Sequence, residues 1–371
     1  GPGSLHALSM NGFAQVVDAS CEGAYPDRVS LYRRANMLVE ATPDQHYLFD
    51  IFHIQGGSQH DYMVHGNQAA FTCTPELGPV RDGSFAGEDV PYEQFYDDEN
   101  LKDKRLSSVP YTGYRGSGFQ FLYNVQQRAM EGEAIADWRL TEPMDGQPER
   151  PWEGVGVRAH LVGEGETLYA CDGPVQKYEY LPESVKFLAR RRQGKDLASS
   201  YMTIYEPYVG NTWIDRVRQL GVEPMDGKAN AVQVDLTNGE THYIFHSLDY
   251  VSTYKLENGV VVSGQMACMV LDPGGNVRRA MLLNGSDLSL DDWSLKGGGQ
   301  SRSTISSIEY KKGIVRLRDP VLRDGPCPGQ AMPLISDGFT DNVTLQKVLD
   351  DHTFSIGDED LKVAGGPVLS V

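Results

Sequence analysis

The chain has 371 residues, 40% hydrophobic and 23% charged, with 33 basic against 51 acidic side chains for a formal net charge of −18. A chain this long buries roughly three quarters of its unfolded surface, so its core needs no disulfide or metal staple. The acidity argues against nucleic acid and anionic membrane surfaces as partners, and no apolar run approaches the ~18 residues needed to cross a bilayer.

Gly1-Pro2-Gly3-Ser4 reads as the remnant of a cleaved expression tag, so fold reasoning begins at Leu5. From there, runs rich in Val, Ile, Tyr and Phe alternate with polar residues and stop at Gly, Pro, Asn or Asp. That pattern predicts strands over 29–40, 46–54 and 60–65. Residues 75–113, rich in Pro, Gly and acid, predict a long excursion packed on the sheets. Strands follow over 117–126, 155–162 and 166–171. Residues 183–192 and 212–220 suit either a short helix or a strand. Further strands are predicted over 200–206, 230–236, 241–248, 260–271, 277–283, 304–310 and 313–318. Asn238-Gly239 accepts the positive φ of a type I′ hairpin between 230–236 and 241–248.

The sum predicts an all-β chain. A large antiparallel β-sandwich, supersandwich-like, is expected over 5–255. A smaller β domain is expected over 256–371, the boundary falling near 252–259 where strands become shorter and Gly-punctuated. Cys21, Cys73, Cys171, Cys268 and Cys327 form no CxxC pair and read as buried thiols. There is no GxSxG elbow, phosphate loop, dinucleotide fingerprint or Cys/His zinc cluster.

Chemistry-bearing residues gather around Gln55-Gly56-Gly57-Ser58. Side chains alternate faces in a strand, so His60 and Tyr62 share one face of 60–65 while Asp61 and His65 share the other. His60 with Tyr62 suits proton transfer, an imidazole titrating near neutrality beside a phenol able to protonate a leaving oxygen. Asp61 with His65 suits metal ligation, or a histidine held in one tautomer by a carboxylate. The plainer reading of all four is a polar strand end making ordinary hydrogen bonds. Arg158 and His160 also share a face and suit neutralising a substrate carboxylate. Trp138 beside Arg139 suits stacking on a sugar ring, or a buried Trp anchoring the sandwich. His242 and His246, four apart on a strand, stand ~13 Å apart, too far for one metal, and read as core or solvent-facing histidines.

Several stretches resemble the rear portion of the heparinase II/III-like polysaccharide lyases. They are Tyr32-Arg33-Arg34, Tyr47-Leu48-Phe49-Asp50, Gly56-Gly57-Ser58-Gln59-His60-Asp61-Tyr62 with His65-Gly66, and Ala86-Gly87-Glu88-Asp89-Val90-Pro91-Tyr92. Gly116 to Gln126, Ala136-Asp137-Trp138-Arg139-Leu140 and Ile204-Tyr205-Glu206-Pro207-Tyr208 extend the likeness over roughly residues 13–250. Members place an α/α-toroid ahead of a β-sandwich and cleave uronic-acid polysaccharides by β-elimination. The resemblance implies an acidic polysaccharide as partner, an upstream toroid in the parent protein, zinc or calcium there, and a periplasmic or secreted location. The family's acid and base lie on the toroid and on a first-strand histidine, and its zinc is held by a His-x-His…Asp…His set. This sequence shows no helical toroid, no His-x-His-x-Asp segment and no His-Asn-Thr turn, so none of those roles transfers. The expectation is a β-sandwich portion that scaffolds and contacts glycan without cleaving it. The alternatives are a self-sufficient lyase using His60 and Tyr62, or a non-catalytic carbohydrate-binding module.

Overall fold

The computed structural model describes residues 3–10, 12–66, 69–102, 104, 114, 116–141, 152–175, 183–299, 302–322, 328–329, 331–336, 339–357 and 368–370. Cys327 lies outside them. Among the described residues there is no α-helix, only strands and three short 3-10 turns. The chain is all-β: antiparallel sheets layered as a large sandwich, followed by a smaller β domain. It forms two compact units, one of Gly1–His53 with Trp213–Val371, the other of Ile54–Thr212.

The first unit begins with neighbouring strands β1 (Ser4–Ser9), β2 (Ala14–Ser20), β3 (Leu31–Thr42) and β4 (Gln45–Gln55). Alternation decides which residues are buried. Arg33, Ala35, Met37, Val39 and Ala41 of β3 and Tyr47, Phe49, Ile51 and His53 of β4 point inward, all below 9% exposure.

The second unit holds β5 (Gln59–His65), β6 (Ala69–Thr74), β7 (Tyr123–Leu140), β8 (Val155–Pro174), β9 (Ser184–Gln193) and β10 (Ala198–Val209). The predicted strands 155–162 and 166–171 are one strand, β8, bent near Gly165, whose φ of 67° favours a residue without Cβ. Before the bend β8 pairs with β10, and after it with β9, while β7 runs along its other edge. β5 then pairs with the free edge of β9. At the fork where β9 and β10 part, Arg190 donates to the carbonyls of Met202 and Val162 at 2.7 and 2.9 Å and to Thr203 Oγ1 at 3.0 Å. It thus supplies donors to buried backbone carbonyls at the last pair of the β8–β10 ladder.

Of the two readings for residues 183–192 the strand holds, as β9 over Ser184–Gln193. Pairing on both edges overrides their local preference. The predicted strand 117–126 is corrected: Gly118 at φ 77° opens a 3-10 turn, Phe119–Phe121, and β7 starts only at Tyr123. Residues 75–102 carry no strand beyond one bridge, Ser84 to Gly87, yet bury Phe85 and Phe95 completely.

Back in the first unit come β11 (Ile214–Leu220), β12 (Val222–Glu223), β13 (Ala229–Leu236), β14 (Thr241–Ser247), β15 (Tyr254–Leu256), β16 (Val261–Ser263), β17 (Met266–Leu271), β18 (Val277–Leu283), β19 (Asp287–Leu290) and β20 (Trp293–Lys296). They form two sheets, β11-β13-β14-β17-β18 and β12-β15-β16-β19-β20, so strands from both sides of residues 252–259 share each sheet. Phe245, Ala267 and Met269 of one sheet and Tyr254, Leu256, Val262 and Leu288 of the other share a core. The predicted strand 260–271 is two strands in different sheets. It switches at Gly264, where a Cβ would lie 2.9 Å from the Gly285 Cα.

Finally β21 (Arg302–Glu309), β22 (Ile314–Leu317), β23 (Ala331–Ser336), β24 (Phe339–Thr344), β25 (Lys347–Asp350), β26 (Thr353–Ser355) and β27 (Val368–Ser370) make a seven-stranded sheet. It has its own core around Val315, Leu317, Leu334, Leu345 and Phe354.

Candidate functional site

On β5, His60 and Tyr62 do face the same way, at 4% and 2% exposure, and each meets a β10 side chain. His60 Nε2 lies 2.6 Å from the Gly56 carbonyl, which can only accept, so Nε2 carries the proton. In the neutral form of the ring, Nδ1, 2.9 Å from Ser199 Oγ, accepts from the hydroxyl. The Tyr62 hydroxyl is hydrogen-bonded to the Tyr205 hydroxyl, and its ring stacks on Tyr201 at 5.6 Å. Tyr201 in turn donates to the His60 carbonyl at 2.8 Å. Both ring nitrogens of His60 are thus engaged within the fold.

Asp61, on the opposite face, accepts from Arg191 Nε at 2.6 Å, Arg191 Nη2 at 3.2 Å and Gln59 Nε2 at 2.8 Å. The Arg191 guanidinium lies 4.2 Å from the centre of the Phe85 ring. His65 is exposed; its Nδ1 meets the Gly66 carbonyl at 3.0 Å and its ring packs on Phe187. Among the described residues no group of three or more His, Cys, Asp or Glu side chains is arranged to hold a metal ion.

Arg158, Arg139 and His160 lie on a common face of β7, β8 and β10. Arg158 Nε donates to Asp137 Oδ2 at 2.9 Å, and the Tyr208 hydroxyl donates to Asp137 Oδ1 at 2.6 Å. The exposed Arg139 lies over the Tyr208 ring at 5.5 Å. His160 Nε2 and Glu206 Oε2 pair at 2.9 Å with both side chains buried. Trp138 points the other way, into a core with Ala136, Leu161 and Leu188, and its Nε1 donates to the Lys186 carbonyl at 3.1 Å. It is the buried anchor of the two readings.

A richer polar cluster sits in the first unit, where sequence reading assigned no chemistry. Asp18 of β2 and Arg33 of β3 occupy inward positions in otherwise apolar alternations and form a bidentate pair at 2.8 and 2.6 Å. An Asp and an Arg in phase with core residues of neighbouring strands were the signal available. Asp18 Oδ2 also accepts from Gln265 Nε2 at 2.7 Å and His246 Nε2 at 3.2 Å. In the neutral form of His246, Nδ1 accepts from His53 Nε2 at 3.1 Å, the two rings stacking at 5.0 Å. Arg33 Nη2 donates to the Tyr250 hydroxyl at 2.5 Å.

The electrostatics follow from these contacts. Burial opposes the Asp18 charge, but its Arg33 and His246 hydrogen bonds hold the carboxyl far below the usual range. Burial, then the neighbouring His246 and Arg33, push the His53 imidazole well below its ordinary value. Burial and Arg33 lower His6 likewise, and burial raises the Tyr250 phenol. The enclosed His6 Nε2 has no hydrogen-bond partner among the described residues. Arg33 is thus hydrogen-bonded to the half-buried Tyr250 phenol and within electrostatic reach of the half-buried His6 imidazole.

No family model and no curated protein matches this chain.

Proposed function

We propose that this chain is the glycan-contacting β-sandwich portion of a heparinase II/III-like polysaccharide lyase and does not perform β-elimination alone. The family part of this reading rests on the sequence resemblance. The non-catalytic part rests on the state of His60. β-Elimination needs a base free to take the C5 proton of a uronate, an acid to protonate the leaving oxygen, and a cation or donor on the carboxylate. The His60 imidazole has both nitrogens committed, to Gly56 and Ser199. Arg158 and His160 are each paired with a carboxylate, Asp137 and Glu206. Incubation with alginate, heparan sulfate and hyaluronan tests the reading. It predicts saturable binding of an acidic polysaccharide and no unsaturated uronate.

One observation favours a second reading, a self-sufficient lyase. The Tyr250 phenol accepts from the Arg33 guanidinium, which also acts electrostatically on His6, and the His6 Nε2 has no hydrogen-bond partner among the described residues. In that reading Arg33 offsets the substrate carboxylate while imidazole and phenol move the proton. It predicts product formation that Tyr250→Phe abolishes.

A further inference from the structure

The segment leading into β7 carries an aromatic group whose outermost ring, Tyr92, is 42% exposed. Tyr92 meets Tyr123 edge-on at 5.1 Å and 74°, and Phe121 at 6.3 Å and 85°. Behind them the fully buried Phe95 meets Phe121 at 6.2 Å, so the exposed ring rests on buried ones. Edge-to-face contacts of this kind fix the planes of the rings, and the 42% exposure of Tyr92 leaves part of its ring open to solvent.

The backbone beside both tyrosines is unusual. Glu93 follows Tyr92 at φ 68°, and Asn124 follows Tyr123 at φ 51°, the left-handed region that side-chain-bearing residues seldom adopt. The Glu93 N–H is tied to the Gln120 carbonyl at 3.2 Å, so this geometry is held in place. Strain that the surrounding structure maintains on both sides of a presented surface is a pointer to binding.

Polar groups line the rim. Asp172 stands opposite Tyr123 in the β7–β8 ladder, accepts from Asn124 Nδ2 at 2.8 Å, and pairs with Lys186 Nζ at 2.5 Å. A carboxylate, an amide and an ammonium side by side offer the adjacent donors and acceptors that vicinal sugar hydroxyls need. Charge narrows the ligand further. Glu88, Asp89, Glu93, Asp97, Asp98 and Glu99 lie in the same segment, a local excess of negative charge that disfavours a uronate.

We propose that Tyr92 and Tyr123 form a stacking site for a neutral pyranose. This rests on the glycan-contacting reading above and adds to it a place and a sugar class outside the uronates. Calorimetric titration tests it, using oligosaccharides from cellulose, mannan, xylan and starch, with an alginate oligosaccharide as comparison. Wild-type protein is expected to bind at least one neutral oligosaccharide, with an affinity insensitive to salt. Tyr92→Ala should weaken that binding by about tenfold or more, with the melting temperature unchanged, while Tyr92→Phe retains it because stacking survives loss of the hydroxyl. Neutral binding that Tyr92→Ala leaves intact overturns the site, as does failure of every neutral oligosaccharide to bind. Alginate binding that persists in such a failure leaves the broader glycan reading standing; failure of all five overturns both.

Discussion

Arg190 is seated on Glu166 with neither side chain exposed: Nε to Oε2 at 2.6 Å and Nη2 to Oε1 at 3.0 Å. The same carboxylate accepts Arg192 Nη2 at 2.5 Å, and the remaining Arg190 donors close the fork between β9 and β10. Removing one partner of a buried ion pair leaves uncompensated charge and unmade hydrogen bonds. Arg190→Met should therefore cost about 3–5 kcal/mol, read as a lower urea midpoint. An unchanged midpoint contradicts the role given to Arg190.

His60 is expected to behave as a structural residue. Its replacement by alanine strands the buried Ser199 hydroxyl and the partly buried Gly56 carbonyl. His60→Ala should destabilise the fold by about 1–3 kcal/mol, measured by chemical denaturation. A histidine used only for catalysis would leave stability unchanged when removed.

Acid should destabilise the first unit earlier than carboxylate titration alone would. His6 and His53 have folded-state values below the ordinary 6.5, and burial lowers His242 to about 4. Unfolding restores these groups to their ordinary basicity, so below pH 6.5 the unfolded chain binds more protons than the folded one. Stability is fully present above that pH and falls as acid is added, by about 1.4 kcal/mol per pH unit for each proton taken up. Asp18, whose folded value is depressed, adds its own loss only below the ordinary 3.8. Denaturation midpoints across this range check the sign. A midpoint flat between pH 6.5 and 5, or one rising toward acid, contradicts the lowered basicity of His6 and His53.

The strands that sequence alone locates are those whose pattern is local. Arg33 to Ala41 and Tyr47 to His53 alternate cleanly because one face of each is core. Residues 183–192 suit either reading because Arg190, Arg191 and Arg192 look like an exposed helical run. Their partners, Glu166 and Asp61, lie far away in sequence, and ion pairing makes the triplet compatible with a central strand. The split of 260–271 depends on Gly264 meeting Gly285 across a close backbone approach that no local pattern encodes. The density of titratable groups near His60 was legible, but its role was not. The partner that engages its Nδ1, Ser199, is 139 residues away. Asp18 and His246, 228 residues apart, were harder still, since each alone looks like an ordinary polar residue.

The central claim is that these reactive-looking groups are internal fastenings and that the chain contacts glycan without cleaving it. Ultraviolet absorbance of the unsaturated uronate product, followed while purified protein is incubated with alginate, heparan sulfate and hyaluronan, tests it most directly. No rise above a protein-free control is predicted. A sustained rise proportional to protein concentration, lost in Tyr250→Phe or His60→Ala, would contradict it.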